Sequence, residues 1–209
     1  MTKLNYHDQA HWPNGFGRQQ SPIALQSAQA RSVPAVALAV TAPYQMQTEL
    51  DDDTTIKLLG QGRLTIGARA YDCVQVHFHV PVEHTGNPQA VLEVHLVHQT
   101  ALGQLCVVAV RLVPGAAAPA LTQVIAGFDQ QAHPMAIDLS SLIPQHGHVF
   151  HYLGSLTTPP LTEGVEWYVI DAPTATVSAE QIAWFKAHYA ANSRISQPLA
   201  DRVVEQFNY

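Results

Sequence analysis

Residues 71–80 (YDCVQVHFHV) and residues 90–99 (AVLEVHLVHQ) decide how this chain folds. Both segments are rich in β-branched and aromatic residues, which is typical of β-strands. Side chains two positions apart on a strand point to the same face of the sheet, so His77 and His79 share a face. The same rule places Glu93, His95 and Val97 together on the second strand, with His98 pointing to the other face. If the two strands pair, His95 joins the first two histidines.

Three neutral imidazoles on neighbouring strands predict a zinc site. They leave the ion its full double charge and an open fourth position for water, which is the arrangement of a catalytic zinc rather than a structural one. Metal-bound histidines donate their second ring N–H to a fixed acceptor, and Gln75 and Glu93 each precede a predicted ligand by two positions. The alternative from the residues alone is a set of sheet histidines with ordinary hydrogen-bond partners.

The composition supports a search for metal or proton-transfer chemistry. The 209 residues include 12 histidines, more than the 10 lysines and arginines together, and 16 acidic residues give a formal charge of −6. Nucleic acid is an improbable partner because a phosphate-binding surface needs a clustered excess of positive charge. The longest apolar stretches, residues 33–42 and 102–113, are about half of a membrane span. We therefore expect no nucleic-acid and no membrane partner.

The remaining pattern predicts one domain that is mainly β and mainly antiparallel, with a few short peripheral helices. Further strands are expected at residues 55–59, 63–66, 104–112 and 165–171. A helix is predicted over residues 179–189, where Ser178 and Gln181 have capping-box spacing, and a shorter one over 121–128.

Beyond these two segments, several motifs carry a family resemblance. They are Gln20-Ser21-Pro22-Ile23, the pair Glu83-His84, residues 154–165 (GSLTTPPLTEGV) and residues 192–199 (NSRISQPL). Together with the histidine segments, and in this order, they resemble the α-class carbonic anhydrases, and the spacing is similar to the compact bacterial type. The resemblance spans almost the whole chain and implies a single domain over residues 1–209, built around a large, mostly antiparallel twisted central sheet.

The resemblance implies an enzyme that reversibly hydrates carbon dioxide to bicarbonate and a proton by a zinc-bound hydroxide, with one Zn²⁺ per chain. It assigns the metal to His77, His79 and His95, and outer hydrogen bonds to Gln75, Glu93 and the carbonyl of Asn192. Tyr6 is similar to a pocket tyrosine. The catalytic pair implied is Thr157, which receives a hydrogen bond from the hydroxide, and Glu83, which accepts one from Thr157. The substrate-binding residues implied are Thr157, Thr158, Val97, Val107, Leu156, Val165 and Trp167. Sulfonamides and anions are implied as inhibitors, and a homodimer as an assembly found among bacterial relatives.

Two departures from the family pattern affect the expectations. The stretch that often carries the proton-shuttle histidine is here residues 52–58 (DDTTIKL), with Thr54 at the shuttle position, so we expect proton release to depend on buffer or on His7.

The cysteine pair of secreted bacterial relatives is missing, since Leu161 follows the second proline. Cys73 and Cys106 are expected to be buried free thiols. With no apolar run near Met1, these features predict a cytoplasmic protein, unless a leader segment has been removed.

Two alternatives remain at this point. The spacing of His77, His79 and Glu83 fits the metal ligands of a cupin, but Tyr71 replaces an expected glycine and Thr157 would have no role. The second alternative is a catalytically silent relative that keeps the fold as an interaction module. Such proteins usually lose a zinc ligand, whereas all three are present here.

Overall fold

The structure, a computed structural model, describes residues 4–13 and 17–209. These residues form ten strands in one sheet, whose order is β1-β10-β8-β9-β6-β5-β4-β3-β2-β7. The strand bounds are β1 Arg31–Ser32, β2 Leu38–Asp51, β3 Ile56–Ile66, β4 Arg69–His79, β5 Leu92–Gln99, β6 Leu105–Pro114, β7 His133–Asp138, β8 His148–Ser155, β9 Glu163–Val177 and β10 Glu205–Asn208. Among these strands seven of the nine pairings are antiparallel, and the two parallel ones join β6 to β9 and β1 to β10.

The predicted mainly β fold is confirmed, with two corrections to individual strands. The strands expected at residues 55–59 and 63–66 are one continuous strand, β3. Gly60 allows this continuity because a Cβ at that position would lie 2.2 Å from the carbonyl oxygen of Gln45 on β2. Strands β1, β2, β7, β8 and β10 were not predicted, and β9 extends beyond residues 165–171 by two residues at its start and six at its end.

Two short α-helices lie outside the sheet. The first, α1, covers Pro119–Gly127, and the second, α2, covers Ala179–His188. Helix α2 begins with the predicted capping box: the Ser178 side chain accepts from the backbone N–H of Gln181, and the Gln181 side chain accepts from that of Ser178. No helix in the described part of the chain is long and apolar enough to span a membrane.

The two faces of the sheet carry different cores. One face packs a large apolar cluster that includes Leu96, Val108 and Ile170, together with residues of both helices. The other face packs a smaller cluster around Val97, Val107 and Trp167. On β5 successive side chains alternate between the two clusters, so the strand pattern itself places His95 beside the smaller one.

The two cysteines are free, as predicted. Cys106 is buried in the larger cluster, whereas Cys73 is only half-buried, which corrects the expectation that both are buried. Burial raises the pKa of the Cys73 thiol to about 12.

Candidate active site

Strands β4 and β5 bring the three predicted histidines together. His77 lies directly opposite His95 in the antiparallel register, and His79 follows on the same face of β4. One ring nitrogen from each of the three lies within 4.8 Å of the others. The ring centroids of His79 and His95 are 4.4 Å apart, and His77 lies 4.9 and 5.0 Å from them. The pairing of β4 with β5, on which the predicted three-histidine site depends, is therefore present.

Each imidazole is oriented by a hydrogen bond from its other ring nitrogen. His77 Nδ1 lies 2.9 Å from Oε1 of Gln75, and His95 Nε2 lies 2.8 Å from Oε1 of Glu93. His79 Nδ1 lies 2.8 Å from the main-chain oxygen of Asn192, which comes from a distant loop. These are the three acceptors expected from the sequence. They leave His77 Nε2, His79 Nε2 and His95 Nδ1 as the nitrogens available to a ligand.

The donor set fits a zinc ion. His79 Nε2 is buried and has no hydrogen-bond partner among the described residues, a costly arrangement unless a ligand occupies that side of the ring. Burial lowers the pKa of His79 to about 4, and burial together with the neighbouring imidazoles lowers that of His77 well below its ordinary value. Both rings are therefore neutral near pH 7, the form in which imidazole binds a metal.

Glu83 lies at the edge of the histidine group and is buried. Its Oε1 accepts a 2.7 Å hydrogen bond from the backbone N–H of Arg194 and lies 3.6 Å from Nδ1 of His79. Its Oε2 has no partner within hydrogen-bonding distance, although the Thr157 hydroxyl is close enough to lower the pKa of the carboxyl group. Burial outweighs these contacts and raises the pKa of Glu83 to about 7. Thr157 and Glu83 thus occupy one side of the site.

A second hydrogen-bonded chain supports the ligand-bearing strands, and sequence reasoning missed it. Glu93 Oε2 accepts from the backbone N–H groups of Glu83 and His84, while its Oε1 lies 2.6 Å from Nδ1 of His84. His84 Nε2 lies 2.7 Å from the Tyr152 hydroxyl, which donates to Ser21 Oγ. Burial alone would raise the pKa of Glu93, but His84 and then His95 hold it well below its ordinary value. The carboxylate therefore stays ionised.

Arg111 fastens the loop that carries Glu83. It is buried, its Nε donates to Asp171 at 2.9 Å, and its NH1 group donates to the carbonyl oxygens of His84 and Thr85. Arg111 lies opposite Glu93 in the β5–β6 register. An arginine inside an otherwise apolar strand was the signal that could have revealed this contact from the sequence.

An apolar wall, formed by Trp167 and the residues of its cluster, lies next to His95. The indole of Trp167 has its centroid 5.0 Å from the His95 ring and 4.7 Å from the His84 ring. The other apolar residues assigned to substrate binding all belong to or pack against the same smaller cluster. They are Val97, Val107, Leu156 and Val165. Thr158, also assigned to substrate binding, is half-buried beside Thr157.

The residues considered for proton release, Thr54 and His7, line a cavity of about 300 Å³ together with Tyr6. It is formed by residues 4–7, 53–54 and 190–192. Thr54 does not present a free hydroxyl, because its Oγ1 donates to Asp52 at 2.7 Å. Tyr6 is half-buried, and burial together with Glu83 and Asp52 raises its pKa. His7 is exposed on the same cavity. A larger cavity, of about 1010 Å³, is lined by Leu38, Leu142 and others and includes none of the site residues.

Two buried histidines outside the triad do not point their ring nitrogens into the three-histidine group. His98 points to the opposite face of β5, where its Nε2 lies 2.7 Å from the Tyr44 hydroxyl, as expected from its odd spacing to His95. His84 is buried and, through Glu93, belongs to the support of the site rather than to its ligands.

Fold and site together define a class of protein: a β-sheet protein in which three histidines converge from two adjacent strands. The family model described as eukaryotic-type carbonic anhydrase matches residues 7–208. The carbonic anhydrase of Pectobacterium atrosepticum is 33% identical over 214 residues, covering 94% of this chain and 86% of the relative.

Solved structures agree with this match. The α-carbonic anhydrase of Photobacterium profundum superposes with a TM-score of 0.81 at 31% identity, covering 90% of this chain and 89% of the other. That of Thermovibrio ammonificans, in complex with the inhibitor sulfanilamide, gives 0.80 at 33% identity and covers 90% and 87%. The chain belongs to the eukaryotic-type, or α-class, carbonic anhydrase family, a family of enzymes. The resemblance drawn from the motifs is confirmed, and the cupin alternative is wrong.

Proposed function

We propose that this enzyme catalyses the reversible hydration of carbon dioxide with a zinc ion held by His77, His79 and His95. Family and fold support carbon dioxide hydration as its reaction. The observation that carries the metal assignment is the convergence of three ring nitrogens, one of them the Nε2 of His79, which is buried and has no partner among the described residues. When bound, zinc supplies a Lewis acid that makes water nucleophilic near neutral pH.

The outer acceptors hold the ligands before the metal arrives. Gln75, Glu93 and the Asn192 carbonyl fix the orientation of the three rings, so that each directs its free nitrogen to one point. Second-layer contacts of this kind also raise the basicity of the ligand. Glu93 is itself held in place, since its carboxylate has four hydrogen-bonding contacts.

Thr157 and Glu83 are proposed to orient the attacking water. With its Oε1 satisfied by Arg194, Glu83 has Oε2 available to accept the Thr157 proton. A threonine that donates to this carboxylate must present a lone pair to the nucleophile. The pair therefore selects one orientation of the attacking oxygen, a positioning effect that needs no movement of either side chain.

The apolar wall is proposed to bind carbon dioxide, with Thr158 beside it. Trp167, Val97, Val107, Leu156 and Val165 offer no strong hydrogen-bonding group, which suits a substrate without one. Bicarbonate is charged and is favoured less by such a wall. The apolar wall thus favours release of the charged product.

Proton release is proposed to lack the relay common in the family. Thr54 has no group that titrates near pH 7, and its hydroxyl is held by Asp52. His7 is the exposed imidazole on the same cavity and is the candidate substitute. Sulfonamides and anions are proposed as inhibitors. The single-domain organisation, a homodimer and the cytoplasmic location stay predictions.

The first test combines metal analysis with stopped-flow carbon dioxide hydration. The purified protein should contain about one zinc per chain, and His95→Ala should lose both zinc and activity because two imidazoles bind the ion far more weakly than three. His188→Ala, which removes an exposed histidine of α2, is the matched control and should keep both. Iron in place of zinc without hydration activity, or full activity in His95→Ala, would contradict the proposal.

A further inference from the structure

The main chain of Phe78 separates two of the proposed ligands, His77 and His79. On its β5 side Phe78 lies opposite Val94 in the sheet. On its other side the β3–β4 pairing ends one residue earlier, at Lys57 and His77. The Phe78 N–H and carbonyl are therefore not held by the strand ladder on that side. They need other partners because the residue is buried.

Thr55 supplies those partners with a single hydroxyl group. Its Oγ1 donates to the Phe78 carbonyl at 2.7 Å and accepts from the Phe78 N–H at 3.2 Å. Thr55 is itself buried, at 5% exposure. The hydroxyl thus replaces both ladder hydrogen bonds at the point where the two strands separate, which fixes the peptide between the two ligands.

The side chain of Asn192, in the loop that follows α2, holds the same peptide. Its Nδ2 donates to the carbonyl oxygens of Phe78, at 2.8 Å, and Thr54, at 2.9 Å, while its Oδ1 accepts from the N–H of Val80. Its main-chain oxygen is the partner of His79 Nδ1. One residue therefore connects the ring of His79, the backbone on either side of it, and the turn that precedes β3.

That turn is held by Asp52. Oδ1 of Asp52 accepts from the Thr54 and Thr55 N–H groups and from the Thr54 hydroxyl, at 2.7 to 3.1 Å. Its Oδ2 pairs with Lys57 Nζ at 2.9 Å. The segment in which the sequence lacks a relay histidine is thus an ordered turn that contacts the ligand strand.

We propose that Thr55 is a positioning residue for the metal site: its hydroxyl fixes the Phe78 peptide and so sets the relative placement of His77 and His79. Asp52 and Asn192 complete this backbone clamp. The inference rests on the proposed function, since it requires these histidines to hold the zinc. It assigns a role to the turn that does not involve proton transfer.

The test measures zinc release by a chelator in Thr55→Val and Thr55→Ser. Valine keeps the shape of threonine without its hydroxyl, and we expect zinc to dissociate about tenfold faster, the lower end of the effect of outer hydrogen-bond partners on metal affinity. Serine keeps the hydroxyl and should restore the wild-type rate. The visible spectrum of the cobalt-substituted protein, which reports ligand geometry, should shift in the valine variant only.

Thr41→Val is the matched control. Thr41 lies on β2 and its hydroxyl also donates to a backbone carbonyl, that of Arg63, but away from the site. Its removal should leave zinc release unchanged. The inference is overturned if Thr55→Val releases zinc at the wild-type rate, if Thr41→Val accelerates release equally, or if serine does not restore the rate.

A second pair of variants keeps the inference testable if Thr55→Val does not fold. Asp52→Ala removes the acceptor that orders the turn, and zinc release should again accelerate. Asp138→Ala removes a comparable contact, to the Ser140 N–H, on the far edge of the sheet and should have no effect. Equal release rates in these two variants would overturn the inference. A wild-type protein that binds no zinc would refute the proposed function as well, whereas zinc binding with unaffected variants would refute only the clamp.

Discussion

At the scale of single residues, Glu83 is proposed to take part in catalysis without binding the metal. Glu83 accepts a hydrogen bond from the Arg194 N–H, and Thr157 lies close enough to affect the pKa of its carboxyl group. It is not one of the three residues whose ring nitrogens converge. Glu83→Gln keeps the shape and the Arg194 contact, yet the amide can donate where the carboxylate only accepts. We expect kcat/KM for carbon dioxide hydration to fall by about 10- to 100-fold, as for other outer-shell changes, with zinc content unchanged.

The control for this substitution is Glu180→Gln, an exposed carboxylate in the first turn of α2. It should leave both zinc content and kcat/KM at their wild-type values. Loss of zinc in Glu83→Gln would show that Glu83 supports the metal itself, and unchanged kcat/KM would remove it from the reaction.

Strand periodicity predicted the residues close in sequence to the ligands. Gln75 and Glu93 precede His77 and His95 by two positions on the same strand face, so their contacts follow from local geometry. Thr55 and the Asn192 side chain lie 23 and 114 residues from Phe78, and no local pattern relates them. Their roles follow only from the tertiary fold.

At the scale of elements, a histidine joins three strands near one edge of the sheet. His151 on β8 has Nε2 2.6 Å from Oε2 of Glu166 on β9 and Nδ1 3.3 Å from Oε2 of Glu205 on β10. Its ring also stacks on Tyr168, while Arg69 and Arg31 pair with the two carboxylates. Only the imidazolium donates to both carboxylates at once, so protonation of His151 should strengthen the attachment of β10.

This arrangement predicts a pH dependence of stability. Burial lowers the pKa of His151, but hydrogen bonds and charge from Glu166 and Glu205 outweigh it and raise the pKa above its ordinary value. A raised pKa contributes stability that is fully present below the unfolded value, about 6.5, and is lost as pH rises through the folded value. The loss in unfolding free energy caused by His151→Gln should therefore be larger at pH 6 than at pH 9 in denaturant titrations.

His148→Gln is the matched control on the same strand. His148 lies opposite Asn208 of β10 and its Nε2 lies 3.1 Å from Oε1 of Gln206, an amide rather than a carboxylate. Its substitution should cost a similar amount at both pH values. An equal cost of His151→Gln at pH 6 and pH 9 would refute the ion-pair interpretation.

Two of the strands that the sequence pattern missed have an identifiable physical reason. Strand β2 contains Pro43 and three register shifts, so its alternation is interrupted, and β10 has only four residues. Strands β4, β5 and β6 are central and regular, and their β-rich composition made them predictable. Central, regular strands thus reveal the site, whereas interrupted or very short strands such as β2 and β10 need tertiary contacts to form.

At the scale of the whole molecule, one face of the sheet packs the larger apolar core and the other carries the candidate active site. The larger cluster packs against both helices, while the smaller one lies beside the histidine group. We propose that the proton released by the reaction leaves through the cavity that Thr54, Tyr6 and His7 line. With no imidazole at position 54, this exit should limit turnover when buffer is scarce.

Turnover should therefore rise with the concentration of an imidazole-type buffer, because a dissolved base takes the role of a relay histidine at position 54.

His7→Ala should make kcat at low buffer concentration fall further, while kcat/KM stays unchanged because proton release follows hydration. His11→Ala, which removes an exposed histidine paired with Asp8 that does not line the cavity, should behave as the wild type. Thr54→His should reduce the dependence on buffer. A flat response in the wild type would contradict the missing relay, and an unaltered His7→Ala would exclude His7 while leaving Thr54 as the position where the relay is lost.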